Sequence, residues 1–170
     1  MRKLLLNNKL SQNGFTLLEL IVVFTVIAIL STVGLASFVN YSRAQVLQQA
    51  YSDLLNTLNT AKSNAFSQVK PPQCASYTLE GYSVSINTST WKSYSLNAIC
   101  SGNKFVVSTT NLKDVTINNS VASPPTTIPG NPPTVFFSLL TGGVIGAGNI
   151  VLSGNGNTKT ITITNVGGVQ

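Results

Sequence analysis

Glu19 heads a run of 23 uncharged residues, Leu20 through Ser42, that ends only at Arg43. An ionised carboxylate well inside a bilayer costs about 3 kcal/mol on insertion scales, so an acid in such a run calls for a partner. The obvious partner is an amine. Cleavage after Gly14 would free the α-amino group of Phe15, a short step from where Glu19 of a neighbouring copy could reach it. The second pair with chemistry is Cys74 and Cys100, the only cysteines in the chain. Outside the cytoplasm an even pair reads as a disulfide, and closing that loop would stabilise the fold by roughly 3.5 kcal/mol. Two buried thiols are the alternative. A metal site fits poorly, because the chain has no histidine and no acid stands near either cysteine in sequence.

Enzymatic readings find little material. Without histidine there is no Ser-His-Asp or Cys-His set, and Glu80 and Asp114 are the only carboxylates after Pro71. Asp53 falls on the polar side of a helical stripe, where a solvated charge is the commoner role. The glycines from Gly142 to Gly148 lack the Lys-Ser/Thr of a P-loop and the strand-helix setting of a dinucleotide turn, so they read as a loop. No catalytic residue, metal or cofactor is expected.

The elements that position these groups follow from periodicity. A basic polar stub, residues 1–14, precedes an apolar run that changes character after Asn40. Beyond it Leu47, Tyr51, Leu54, Leu58, Ala61, Ala65 and Val69 recur at steps of three and four, a helical stripe. No proline falls between Phe15 and Val69, and Pro71-Pro72 offers a hard stop. The spacing predicts one helix over 15–69, about 80 Å long if continuous. Its first part, 15–40, is apolar all round; its second, 41–70, is amphipathic and docks a head at 71–170.

Two other readings of the N-terminus compete. One is a secretory signal peptide, with Arg2, Lys3 and Lys9 as its basic region and a cut near Gly34-Leu35-Ala36. The acid inside the run and the polar Ser11-Gln12-Asn13-Gly14 break stand against it. The other is a plain membrane anchor, since 23 helical residues span about 34 Å against a hydrocarbon core of ~30 Å. Three of the ten basic residues lie in the stub, which places the N-terminus in the cytoplasm and the bulk of the chain outside.

The head reads as antiparallel β structure. Tyr82 to Ile86 and Lys159 to Thr164 alternate polar and apolar residues. Further strands are expected at 91–99, 104–108, 115–117, 135–139 and 150–153, with Gly154-Asn155-Gly156-Asn157 as a hairpin turn. Ser123 to Pro133 holds five prolines and reads as a loop. The alternation favours one sheet face against the helix and the other towards solvent. The fold class expected is therefore α+β, a long N-terminal helix packed on an antiparallel β-sheet head.

The full chain carries +6, but without the stub the balance is +3. Serine, threonine and asparagine, rather than charge, make the head soluble. Such a surface gives little electrostatic drive towards nucleic acid or anionic lipid.

Gly14-Phe15-Thr16-Leu17-Leu18-Glu19, followed by Leu20-Ile21-Val22-Val23, resembles the processing site of type IV pilins and of the pseudopilins of type II secretion. The resemblance covers the leader and about the first forty residues after it. It implies cleavage after Gly14 by a prepilin peptidase, N-methylation of Phe15, and assembly with other pilin or pseudopilin subunits by an inner-membrane platform. Before assembly the subunit would be held in membrane lipid. Glu19 matches the family's acidic residue that pairs with the N-terminus of an adjacent subunit. Many members carry a proline where this chain has Ala36, so the family's kink is not implied here, although Gly34 weakens the helix locally.

The C-terminal stretch, Phe136-Phe137 through Gly167-Gly168-Val169, is similar to the end of the H-type minor pseudopilins and the FimT-like minor pilins. Competence-linked members of that group carry arginines around the last glycines. This chain has none there, so nucleic acid is not expected as a partner. Two function classes remain open: a structural subunit of a pilus or secretion pseudopilus, and a filament-tip binding module for DNA uptake or surface adhesion. The second should display a basic or aromatic patch, for which Trp91, Tyr94 and Tyr82 are the candidates.

Overall fold

The structure, a computed structural model, describes residues 14–120, 134–141 and 143–170, without the side chains of 32–36, 119 and 120. The stub up to residue 13, Gly142 and the proline-rich stretch expected as a loop at 123–133 lie outside the described residues. The chain divides into two compact units at Asn40/Tyr41.

A single helix, α1 (Leu17–Phe66), runs for 50 residues. It ends three residues before the expected Val69, and the prolines are not what stops it. Gln68 adopts a left-handed conformation (φ 53°). Its N–H donates to the carbonyl of Ala65 at 3.3 Å, and the N–H of Val69 donates to the carbonyl of Asn64 at 3.0 Å. That pair of bonds is a Schellman motif, which satisfies the last carbonyls before Pro71 is reached.

Within the second unit, the helix buries Leu47, Ala50, Leu54, Leu58, Ala61 and Ala65. This is the expected stripe with two changes. Ala50 takes the central place, leaving Tyr51 half-buried beside it, and Val69 is exposed beyond the helix end.

The head forms two antiparallel sheets. The first has strand order β3-β2-β1-β5-β6, built from β1 (Leu79–Ile86), β2 (Ser93–Cys100), β3 (Asn103–Asn111), β5 (Thr134–Ser138) and the short β6 (Val144–Ile145). The second has order β4-β7-β8, from β4 (Thr116–Ser120), β7 (Gly148–Gly154) and β8 (Asn157–Ile163). Every expected strand is present, and β6 is an addition inside the expected glycine-rich loop. The expected turn between β7 and β8 is also there. Asn155 (φ 52°) and Gly156 (φ 81°) both take positive φ between the paired Gly154 and Asn157, the geometry of a type I′ hairpin turn. Strand β2 starts later than expected, at Ser93, because Trp91 (φ 55°) closes a turn in which its N–H donates to the Asn87 carbonyl at 2.8 Å.

One core joins these parts. Tyr82, Val84 and Ile86 of β1, with Tyr94, Leu96 and Ala98 of β2, share it with the helical stripe and with Ile117, Ile150, Leu152 and Ile161 of the second sheet. The opposite face of the first sheet departs from expectation. Ser83, Ser85, Ser93 and Asn97 are buried there instead of facing water. Part of the cover is Phe136, which lies directly across from Ser83. Its ring sits over Gly81, 2.6 Å from where a Cβ would stand, and the Phe137 backbone carbonyl crowds the same point, so β1 can pass there only as glycine.

Cys74, in a short 3-10 turn (Pro72–Cys74), is joined to Cys100 at the end of β2. The two sulfurs are bonded, and both residues are fully buried, so the disulfide reading holds over that of two buried thiols. The link between helix and β1 is held further by the Tyr82 hydroxyl, which donates to the Val69 carbonyl at 2.6 Å, and by Lys70 Nζ, which donates to the Ala75 carbonyl at 3.0 Å.

Candidate assembly and processing site

Gly14 and Phe15 precede the helix, and both are exposed. Thr16 begins it. Its Oγ1 accepts a bond from the Glu19 N–H at 3.2 Å, and its carbonyl accepts one from the Leu20 N–H at 3.2 Å. Thr16 is thus the N-cap and Glu19 the third helical residue, with the acid in the first turn where the helix dipole favours negative charge. The Thr-x-x-Glu spacing is the signature of a capping box, a signal already present in the sequence and not read from it. The cap orients the first turn and leaves the Glu19 side chain exposed.

From Phe15 to Leu30 every large apolar side chain is exposed, from 49 % for Val23 and Val26 to 82 % for Phe15. No stripe faces inward; the segment is apolar all round, as its composition implies. Its described hydroxyls add little polarity. Thr25 Oγ1 donates to the Val22 carbonyl at 2.8 Å, and Ser31 Oγ to the Ile27 carbonyl at 2.7 Å. Each hydroxyl proton is therefore satisfied within its own helix, which suits a surface that must meet other apolar groups. Among the described residues no helix is long and apolar enough to cross a membrane.

Residues 9–35 match the family described as the prokaryotic N-terminal methylation motif. The chain carries the prepilin signature of type IV pilins and pseudopilins. Comparison with curated proteins and with solved structures gives no match. The signature spans the capped first turn, Glu19 and the apolar surface beyond it, and the fold that follows is α+β and pilin-like. Families with this motif are structural, and the motif implies processing by a prepilin peptidase and assembly with other such subunits.

The remaining candidates lie apart from this site. Asp53, Glu80 and Asp114 are all exposed, and Glu80 Oε1 accepts a bond from the Gly102 N–H at 3.1 Å. Among the described residues no cluster of His, Cys, Asp and Glu could hold a metal ion. The three aromatic candidates form no surface patch. Tyr82 and Tyr94 are buried in the core, and Trp91 packs against it half-buried.

Proposed function

We propose that the chain is a structural filament subunit, assembled through its N-terminal helix into a type IV pilus or a type II secretion pseudopilus. Residues 1–14 are a leader that prepilin peptidase removes after Gly14, and the new amine of Phe15 is N-methylated. Before assembly the segment 15–40 lies in the inner membrane, with the N-terminus cytoplasmic and the head outside, as the stub's basic residues favour. An assembly platform then moves the helix from lipid into a bundle of like helices.

The observation that supports this most is the all-round apolar surface following one exposed acid, Glu19. A patch of that extent is not left facing water by a soluble protein. In a helical bundle the packing of Leu20 to Val39 gives broad, non-directional adhesion, and the Glu19–amine pair sets the register. An unpaired carboxylate or amine buried there costs about 3–5 kcal/mol, whereas the pair is tolerated.

Glu19→Ala tests the reading. Membrane insertion and leader cleavage are expected to survive, because an apolar residue replaces a costly acid. Incorporation into sheared filaments is expected to fall sharply, and Glu19→Gln separates charge from hydrogen bonding. Normal incorporation of both variants, read by crosslinking and filament yield, would remove the charge pair from the mechanism.

A further inference from the structure

A polar pocket of about 370 Å³ opens on the outer side of the first sheet, at the end where β1 and β2 join. Ser85, Asn87, Ser93, Ser95, Lys104 and Thr109 contribute to its lining, and among the described residues Lys104 is its only charged one. The volume falls near the lower end of the ~300–1,000 Å³ usual for small-molecule sites. Nothing in the assembly of filaments through an N-terminal helix uses these groups.

The hydrogen bonds beneath the pocket give it a direction. Asn97 is fully buried, and its Nδ2 lies 3.1 Å from the Ser95 carbonyl and 3.4 Å from the Ser83 carbonyl. Two acceptors at that nitrogen identify it as the amide NH2. One of its two protons goes to Ser85 Oγ at 2.9 Å, leaving the other shared between the carbonyls, and Lys104 Nζ donates to Ser85 Oγ at 3.0 Å. Both acceptor positions of Ser85 are then filled, so its own proton must go to Ser95 Oγ, 3.1 Å away. Ser95, having accepted that bond, keeps its proton to donate. Lys104 likewise retains two of its three N–H groups. The network, buried at Asn97 and Ser85 and open at Ser95 and Lys104, therefore presents donors at the pocket.

Charge points the same way. Lys104 is exposed as a residue, and partial desolvation of its amine against the sheet pushes its pKa below the ordinary lysine range. Among the described residues no carboxylate lines the pocket to offset this loss of water. The hydroxyls of Ser93 and Thr109 can meet further polar groups of a bound molecule.

We propose that this pocket binds a small hydroxylated carboxylate, an acidic monosaccharide, with the Lys104 ammonium and the Ser95 hydroxyl donating to its carboxylate. A charge-assisted bond to the ammonium supplies the anchor, and the surrounding hydroxyls read the ring. A head so equipped would engage acidic glycans at a surface.

The test is titration of full-length protein in neutral detergent with glucuronate, glucose and inorganic phosphate, followed by calorimetry or ligand-observed NMR. Glucuronate is expected to bind in the millimolar range or tighter, and glucose at least about tenfold more weakly. Lys104→Met, which keeps the aliphatic stem, and Ser95→Ala should each weaken glucuronate by about tenfold or more, a factor that corresponds to roughly 1.4 kcal/mol. Lys113→Met, outside the pocket, should leave it unchanged, and thermal unfolding of each variant shows that the fold is kept. No glucuronate binding at about 10 mM, or binding that survives Lys104→Met, overturns the proposal. Phosphate binding as tightly as glucuronate overturns the assignment to a sugar acid.

Discussion

Gly14 has open space where a Cβ would stand, so Gly14→Ala leaves the subunit's own structure undisturbed. A processing defect in that variant would then report recognition by the peptidase. The mature chain is expected to begin with N-methylated Phe15, seen by intact mass and N-terminal sequencing of membrane-extracted protein, and Gly14→Ala to retain its leader. A mature start at Ser37 would instead mark the segment as a signal peptide. Tyr82 is the residue-scale determinant within the head. Its hydroxyl bond to the Val69 carbonyl fastens the helix exit to β1, and Tyr82→Phe should lower stability by about 1 kcal/mol. Burial also raises its pKa above the ordinary 10.0, so the folded ring keeps its proton where the unfolded one loses it. The stability tied to that proton is fully present below pH 10.0 and is lost as pH rises through the folded value. Denaturant titrations at rising alkaline pH should therefore show a shallower loss for Tyr82→Phe than for the parent, with Tyr94, also raised by burial, sustaining the remainder.

At the scale of elements, the helix terminus is the informative case. Gln68 occupies the left-handed position of the Schellman motif, which a side chain with a Cβ adopts at a cost of roughly 1–2 kcal/mol. Glycine adopts it freely but loses more backbone entropy on folding, so the gain is partial. Gln68→Gly should raise the stability of the head by about 0.5–1 kcal/mol, measured by chemical denaturation of the full chain in neutral detergent. A lowered midpoint would mean that the helix ends in another way. The N-terminus is built differently: Thr16 supplies the cap, and Glu19 adds a favourable charge to the first turn before any neighbour is present.

For the molecule as a whole, the head is one core shared by a helix and two sheets, and its staple is Cys74–Cys100. The bridge joins the segment that leaves the helix to the end of β2, 26 residues away in sequence. Restricting that loop in the unfolded chain is worth about 2–4 kcal/mol. Non-reducing peptide maps should recover the linked pair, and Cys100→Ala or Cys74→Ala should lower the melting temperature of the head. Equal melting of the parent with and without reductant would show that the bridge adds nothing. A further tie between helix and second sheet is Lys159, whose ammonium lies 5.2 Å from the centre of the Tyr51 ring.

Local patterns already determined much of this. Helix, amphipathic stripe, alternating strands and the Asn155-Gly156 turn each depend on residues a few positions apart, so composition and spacing sufficed. The methylation motif at residues 9–35 was legible for the same reason, since it is contiguous. The β2–β3 turn at Ser101-Gly102 had an equally local signal that went unread, as did the Thr16 cap. Only tertiary structure decided the rest. Pairing β1 with β5 brings Phe136 over Gly81 and Ser83 from more than fifty residues away, and with it the polar side of the sheet leaves water. Alternation says which residues share a face but not what will cover it. The Lys104–Ser85–Asn97 network exists because three neighbouring strands set their register independently of any pattern within one of them.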